Sequence, residues 1–212
     1  TRSLCDWSSD VCSSDLFERE TLDALVSDGE LYGLPLDFKC VALYWNPTLS
    51  PTAPDTTDAL RATGRAVRQR DPQAWGIAWE LDSLYFHAPW LHGFGGSVYA
   101  PDAASPDTLA LDTPEAAASL AFVRDLRTRD ALIPPEATSA LTTSLFRSDQ
   151  LAFVVSGPWF RGELSGFDHW RVAPLPTVSE TGRPARPFLG VEGLFLSRRS
   201  THKALAFDLM RA

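Results

Sequence analysis

Cysteine is scarce in this chain, basic runs are missing, and no apolar stretch comes near the length of a membrane span. Of the three cysteines, Cys5 and Cys12 fall within residues 4–16, a near-repeat of Cys, Ser-Ser-Asp with no hydrophobic period. That segment reads as the in-frame translation of a sequencing-library adapter, so residues 1–16 are set aside as a non-native leader. Cys40 remains, inside an apolar strand-like run, where a small buried hydrophobe is expected. A disulfide framework, a zinc site and a redox pair are thereby excluded. The single methionine, Met210, is assigned to the core. The longest apolar runs fall far below the roughly 20 residues that span a bilayer. The net charge of −8 becomes −6 without the leader, which carries one Arg and three Asp. An acidic chain without a basic block argues against nucleic acid and anionic membrane surfaces as partners. HExxH, G-x-S-x-G and phosphate-loop motifs are also missing. His87 and His92 are five apart with Pro89 between them, the wrong spacing for two ligands one helical turn apart. No metal or cofactor is expected.

What the chain has in abundance is aromatic side chains, with seven Trp and twelve Phe. Such wealth suits flat apolar ligands or the faces of sugars as well as a core. The most informative stretch is residues 151–159, an apolar run ending in Ser156-Gly157-Pro158-Trp159. It reads as a buried strand stopped by Gly and Pro. Gly157 permits a tight turn, and Pro158 suits the first position of a following helix. Trp159 then sits at the strand's carboxyl end, where open α/β sheets collect ligands. From this segment alone, Trp159 is equally a core residue.

Elsewhere strands and helices alternate. Strands are expected over 31–36, 41–45 and 75–79. Thr56 or Thr57 caps a helix to about residue 69 that buries Leu60, Gly64 and Val67. Residues 83–92 form an aromatic helix that Pro89 should kink or interrupt. A loop over 100–107 precedes Thr113-Pro114-Glu115, a strong helix start, and that helix runs to about 129, burying Ala116, Leu120 and Val123. Further helices are expected at 139–147 and 158–164. Residues 174–176 are extended, and 179–186 make a polar turn. Strands over 188–191 and 194–197 flank Glu192-Gly193, and Ser200 caps a last helix carrying Ala204, Phe207 and Leu209. The pattern is α/β with a mixed sheet.

Taken in order, Tyr32-Gly33-Leu34-Pro35, Leu43-Tyr44-Trp45-Asn46-Pro47, Gly95-Gly96, Ser156-Gly157-Pro158-Trp159, Pro174-Leu175-Pro176 and Pro187-Phe188-Leu189-Gly190-Val191-Glu192-Gly193 resemble the family 1 extracellular solute-binding proteins. Within that family the chain is most similar to maltose and maltodextrin receptors of ABC importers. The resemblance implies a periplasmic-binding-protein-like (type II) two-lobed fold, truncated to mostly the C-terminal lobe. Residues 17–38 would be an N-lobe remnant, 39–187 the C-lobe, and 188–212 the return hinge and a second N-lobe remnant. The first hinge crossing would be one strand over 38–45. The implied function is capture of a malto-oligosaccharide-like carbohydrate by lobe closure, not catalysis. The implied partners are the oligosaccharide and the importer's membrane permease subunits, with a monomer working outside the cytoplasm.

The resemblance also implies a site. Trp159 and Tyr85 match positions that stack on pyranose rings, and Phe86 a neighbouring aromatic one; aromatic walls suit a ring whose faces are apolar and whose rim is polar. Asp82 lies beside Ser83, which takes the place of an acid that accepts sugar hydroxyls. Lys39 falls at a hinge position held by an acid in the maltose-binding prototype, and Glu192 at the second hinge, close to the cleft. Two other classes stay open on the residues themselves. A receptor of this architecture could take a non-sugar solute. A glycoside hydrolase could use Glu80, Asp82 and Glu192, with two carboxylates roughly 5 Å or 6.5–9.5 Å apart.

Overall fold

A computed structural model describes residues 18–100 and 108–211. The 1–16 leader, with Cys5 and Cys12, and nearly all of the 100–107 loop lie outside the described residues. In chain order the elements are α1 (Arg19–Asp23), β1 (Val26–Ser27), β2 (Glu30–Leu31), β3 (Leu34–Lys39), β4 (Ala42–Trp45), α2 (Thr57–Arg70), β5 (Trp75–Ala78) and α3 (Leu84–Gly93). There follow α4 (Pro114–Thr128), α5 (Ser139–Arg147), β6 (Leu151–Ser156), α6 (Phe160–Glu163), β7 (Arg171–Ala173), β8 (Thr177–Val178), β9 (Arg183–Pro184), β10 (Gly190–Leu194) and α7 (Lys203–Arg211). The chain divides into two compact units, one of residues 40–188 and one of the segments up to Lys39 and from Leu189 onward.

The 40–188 unit is built on a four-stranded mixed sheet in the order β5-β6-β4-β7, with β5 and β6 parallel and the other pairs antiparallel. All of β6 is buried, as a strand covered on both faces requires. Phe153 and Val155 pack with Leu43 and Ile77, with Leu60 and Val67 of α2, and with Trp90, Phe122 and Leu126 of α3 and α4. Leu151 and Val154 pack with Tyr44, Phe146 of α5 and Phe160. The helices start where the sequence places caps. Thr56, Thr113 and Thr138 accept from the backbone N–H of Ala59, Ala116 and Leu141 at 3.2, 3.2 and 3.3 Å, each such cap contributing about 1 kcal/mol. Gly64 lets α2 lie directly on β5: a Cβ there would be 3.3 Å from the Cα of Gly76.

Several local expectations are corrected here. Helix α3 runs through Pro89 without interruption. Proline removes one N–H from the ladder, but Phe86, Ala88, Trp90 and Leu91 are all buried, and their packing holds the helix. The inward face of α4 is Ala116, Ser119, Phe122 and Leu126, while Leu120 is 60% exposed and Val123 only half-buried. Ser119 can turn inward because its hydroxyl donates to the Ala116 carbonyl at 2.8 Å and meets His87 Nε2 at 2.9 Å. Pro158 does not open a helix: Gly157-Pro158-Trp159 is a turn closed by Phe160 N–H to Gly157 O at 3.0 Å, and the helix is the single turn α6. The short strand β7 carried no sequence signal, and the polar turn at 179–186 holds the turn and the second strand of the β8–β9 hairpin.

In the other unit, β3 and β10 pair antiparallel, with a bulge between Glu192 and Gly193. The two strands expected around Glu192-Gly193 are therefore one strand, and the bulge absorbs the glycine. The strand expected over 31–36 falls on the end of β2 and the start of β3, interrupted at Tyr32-Gly33, and β2 is the second arm of a β1–β2 hairpin turned by Asp28 and Gly29 at φ 51° and 77°. The expected crossing strand over 38–45 is broken, since β3 ends at Lys39 and β4 begins at Ala42. Cys40 lies in that break and is exposed, not buried, because no ladder continues through it. Helix α7 begins at Lys203, beyond the reach of Ser200 as its cap; Ser200 Oγ instead accepts from His202 N–H at 3.2 Å. Phe207 is its buried anchor, whereas Ala204 and Leu209 are exposed and Met210 is half-buried.

Candidate functional site

Strand β6 ends at Ser156, and the next three residues build an aromatic corner. Gly157 is buried, and the indole of Trp159 folds back over it, so that a Cβ on Gly157 would sit 2.2 Å from the ring. The Gly157 carbonyl accepts from the Tyr44 hydroxyl at 2.9 Å. Burial pushes the Tyr44 phenol above its ordinary value, against a smaller opposing pull from the Arg161 charge. Tyr44 therefore stays a neutral donor and pins the turn. Trp159 itself is 40% exposed.

Helix α3 supplies the rest. The Tyr85 ring lies 6.2 Å from that of Trp159, at 43° between planes, and Phe86 meets the indole edge-on at 6.3 Å and 87°. Adjacent in sequence, Tyr85 and Phe86 also meet edge to face at 5.6 Å. Phe86 is buried and acts as the support, whereas Tyr85 is half-buried. Phe188 extends the row, 6.3 Å from Tyr85, and is braced by His92 at 5.3 Å. The His92 ring is held in turn by the Arg186 carbonyl at 2.7 Å from Nδ1. Centroid separations of this kind, tilted or edge-on, are those at which aromatic pairs attract.

The other sequence-predicted residues lie elsewhere. Asp82 is exposed and borders a hollow of about 450 Å³ with Glu80, Arg127 and Glu136. Lys39 and Glu192 belong to the other unit, where they form an ion pair with each other across the β3–β10 ladder. Their side chains are 37% and 52% exposed, and ion pairs so placed contribute at most about 1 kcal/mol. The structure thus gathers Trp159, Tyr85 and Phe86 into one cluster, joins Lys39 to Glu192 in another, and leaves Asp82 by a third feature. Sequence reasoning gave no role to Tyr44 or Phe188, although both stand inside the quoted motifs. Their parts depend on the β4–β6 register and on the return of the chain to α3. Among the described residues no group of three or more His, Cys, Asp or Glu is placed to hold a metal ion, and no helix is long and apolar enough to cross a membrane.

The aromatic corner thus stands at the end of β6, the buried strand of a mixed four-stranded sheet. The sequence model for bacterial extracellular solute-binding proteins matches residues 8–212, and the chain belongs to that family. The match begins inside the 1–16 segment. The maltotriose-binding protein of Pyrococcus abyssi (strain GE5 / Orsay) is 26% identical over 193 residues, covering 89% of this chain and 41% of that protein. The maltodextrin-binding protein MdxE of Bacillus subtilis (strain 168) is 22% identical, covering 90% of this chain and 47% of its own length. The galactooligosaccharide-binding protein of the same organism is 24% identical over 92% of this chain and 48% of its own. Among solved structures, a cyclo/maltodextrin-binding protein complexed with maltotetraose superposes with a TM-score of 0.79 at 30% identity, over 92% of this chain and 51% of that one. The maltose-maltodextrin binding protein of Alicyclobacillus acidocaldarius gives 0.82 at 26%, over 97% and 54%. The fold is accordingly that of the type II periplasmic binding proteins, and the chain spans about half the length of the relatives it matches.

Proposed function

We propose that this chain is the sugar-stacking portion of the substrate-binding component of an ABC importer, and that it takes a malto-oligosaccharide. The observation that carries the reading is the partly exposed Trp159 indole, fixed over Gly157 and flanked by Tyr85 at 6.2 Å, at the carboxyl end of the central strand. An apolar sugar face stacks on such rings while its hydroxyls point to the rim. The names of the relatives, which bind maltotriose, maltodextrin and galactooligosaccharide, support a sugar over another solute. On this reading 40–188 belongs to the C-terminal lobe, and β3 and β10 belong to the crossings between lobes. The Lys39–Glu192 pair ties those two strands to each other. Ligand seated on the aromatic corner recruits the other lobe, and the closed form is what the membrane permease recognises. The protein works as a monomer outside the cytoplasm and releases the sugar unhydrolysed.

The test is calorimetric titration of the full-length protein with maltotriose, beside its Trp159→Ala variant. Loss of the stacking face should weaken binding at least tenfold, about 1.4 kcal/mol, with the circular dichroism unchanged. Equal affinity of the two proteins rejects Trp159 as a contact. Release of glucose from the titrant would favour a hydrolase.

A further inference from the structure

A threonine inside a helix commonly turns its hydroxyl back onto the carbonyl four residues earlier. Thr128 and Thr143 do so, donating to the carbonyls of Arg124 and Ser139, each at 2.9 Å. Thr142 does not. It is 4% exposed, and its buried Oγ1 makes no hydrogen bond among the described residues. Ser156, the last residue of β6, is 6% exposed, and its hydroxyl has no partner among them either. Native proteins leave few buried polar groups unpaired, so two such hydroxyls in one place call for an occupant.

Both residues line a single chamber of about 20 Å³, walled by Trp79, Phe86 and Phe160. Half-buried Glu80 and exposed Ser139 border it too, and through them it adjoins the hollow that Asp82 borders. A buried water needs roughly 10–15 Å³ and two to four polar partners. Small-ligand sites begin at about 300 Å³, so no sugar ring fits. Two hydroxyls, each able to donate and accept, with one carboxylate as acceptor, match a water's own two donors and two lone pairs. The chamber lies behind the aromatic corner. Phe86, one of its walls, meets the Trp159 indole edge-on at 6.3 Å, and Ser156 leads directly into Gly157.

We infer that this chamber binds one water molecule, held by the Thr142 and Ser156 hydroxyls with Glu80 at its edge, and that the water braces the end of β6 on which the Gly157 turn and Trp159 stand. Thr142, on α5, is thereby a positioning residue for the indole, which it does not need to touch. A bridging water serves nearly as well as a direct hydrogen bond, and this one joins α5 to the strand that carries the corner. The water site stands on the chamber alone; its bearing on affinity rests on the sugar-receptor reading above.

The experiment uses the full-length protein, its Thr142→Val variant, which keeps the shape and removes the hydroxyl, and Thr142→Ser, which keeps the hydroxyl. High-resolution crystal structures should show a water within hydrogen-bond distance of both hydroxyls in wild type and none in Thr142→Val. The sign of the stability change is the second readout. A dry, unpaired hydroxyl makes valine the more stable residue, whereas a water left short of a partner makes it the less stable one. Thr142→Val should therefore melt about 2 °C lower and bind maltotriose about threefold more weakly by calorimetry, with Thr142→Ser restoring the affinity. A dry chamber in wild type, or a Thr142→Val protein that melts as high as wild type or higher, overturns the water site. Water lost from Thr142→Val with maltotriose affinity unchanged overturns the bracing role. Failure of wild type to bind maltotriose overturns the sugar reading instead, and the crystal structures and melts still decide the water site.

Discussion

Gly157 has no side chain, and the indole of Trp159 occupies the space one would take, with ring atoms 2.2 Å from where a Cβ would stand. The constraint is steric rather than conformational, so the smallest substitution already tests it. Gly157→Ala should push the indole off its seat, destabilising the full-length protein by about 1–3 kcal/mol in urea unfolding, as overpacking does, and, on the proposed function, should weaken maltotriose binding as Trp159→Ala should. A variant as stable and as avid as wild type would contradict this geometry. His87 gives a second residue-scale expectation. The Ser119 hydroxyl is already committed as donor to the Ala116 carbonyl, so it accepts from His87 Nε2–H, which selects the Nε2–H tautomer of the neutral ring. Burial holds the His87 pKa below its ordinary value of 6.5. The unfolded chain therefore takes up a proton that the folded protein resists. The contribution of His87 is complete above pH 6.5 and is lost as pH falls through the lower folded value. Thermal melts from pH 7.5 to 5 should fall more steeply for wild type than for His87→Gln, whose amide can still donate to Ser119; parallel slopes would refute the assignment.

Helices α2 and α4 are joined at one buried carboxylate. The Asp130 side chain, 2% exposed, meets Arg65 at 2.6 Å, Arg61 at 3.3 Å and Arg129 at 3.4 Å. Burial alone would raise its pKa, but hydrogen bonds from Arg65 and Arg129 and the charges of Arg65 and Arg61 outweigh that and hold it low. Asp130→Ala leaves three guanidinium groups around an empty site. It should cost about 3 kcal/mol at pH 7, at the low end for a broken buried pair because Arg65 and Arg129 reach solvent. For wild type this stabilisation is present above the ordinary carboxylate range and lost as pH falls below about 4. Equal urea midpoints for the two proteins at pH 7 would show that the cluster contributes nothing. Local chemistry of this kind was legible unevenly. The Thr56 and Thr113 caps and the α5 boundaries could be read directly, because each depends on residues three or four apart. The α4 face could not, since Ser119 turns inward only where Ala116 and His87 satisfy its hydroxyl. Nor could the β10 bulge or the Asp130 cluster, both of which depend on partners distant in sequence.

Across the whole chain, the mixed α/β sheet was legible from the alternation of elements, and the residues proposed as the site only from the order of the motifs. Nothing local to Trp159 tells an exposed indole from a core one; its 40% exposure and its approach to Tyr85 of α3 come from tertiary placement. Cys40 was misread for the same reason, since an apolar neighbourhood in sequence became a break between two strands. The unit that holds β3 and α7 leaves Leu36, Phe38, Phe195, Leu205 and Leu209 exposed, while the chain spans only 41–48% of its relatives. Uncovered apolar surface of this extent is a liability in isolation. Residues 17–212 expressed alone should bind a hydrophobic dye and melt broadly, where the full-length protein melts cooperatively; a sharp dye-free melt of the segment would count against an incomplete lobe.

The central claim is that Trp159 and Tyr85 form the wall on which a sugar lies. Its most direct test is a crystal structure of the full-length protein with maltotriose. The account predicts one glucose ring within about 4 Å of the Trp159 indole, in van der Waals contact, and another facing Tyr85. Maltotriose bound elsewhere, with Trp159 still open to solvent, would contradict it.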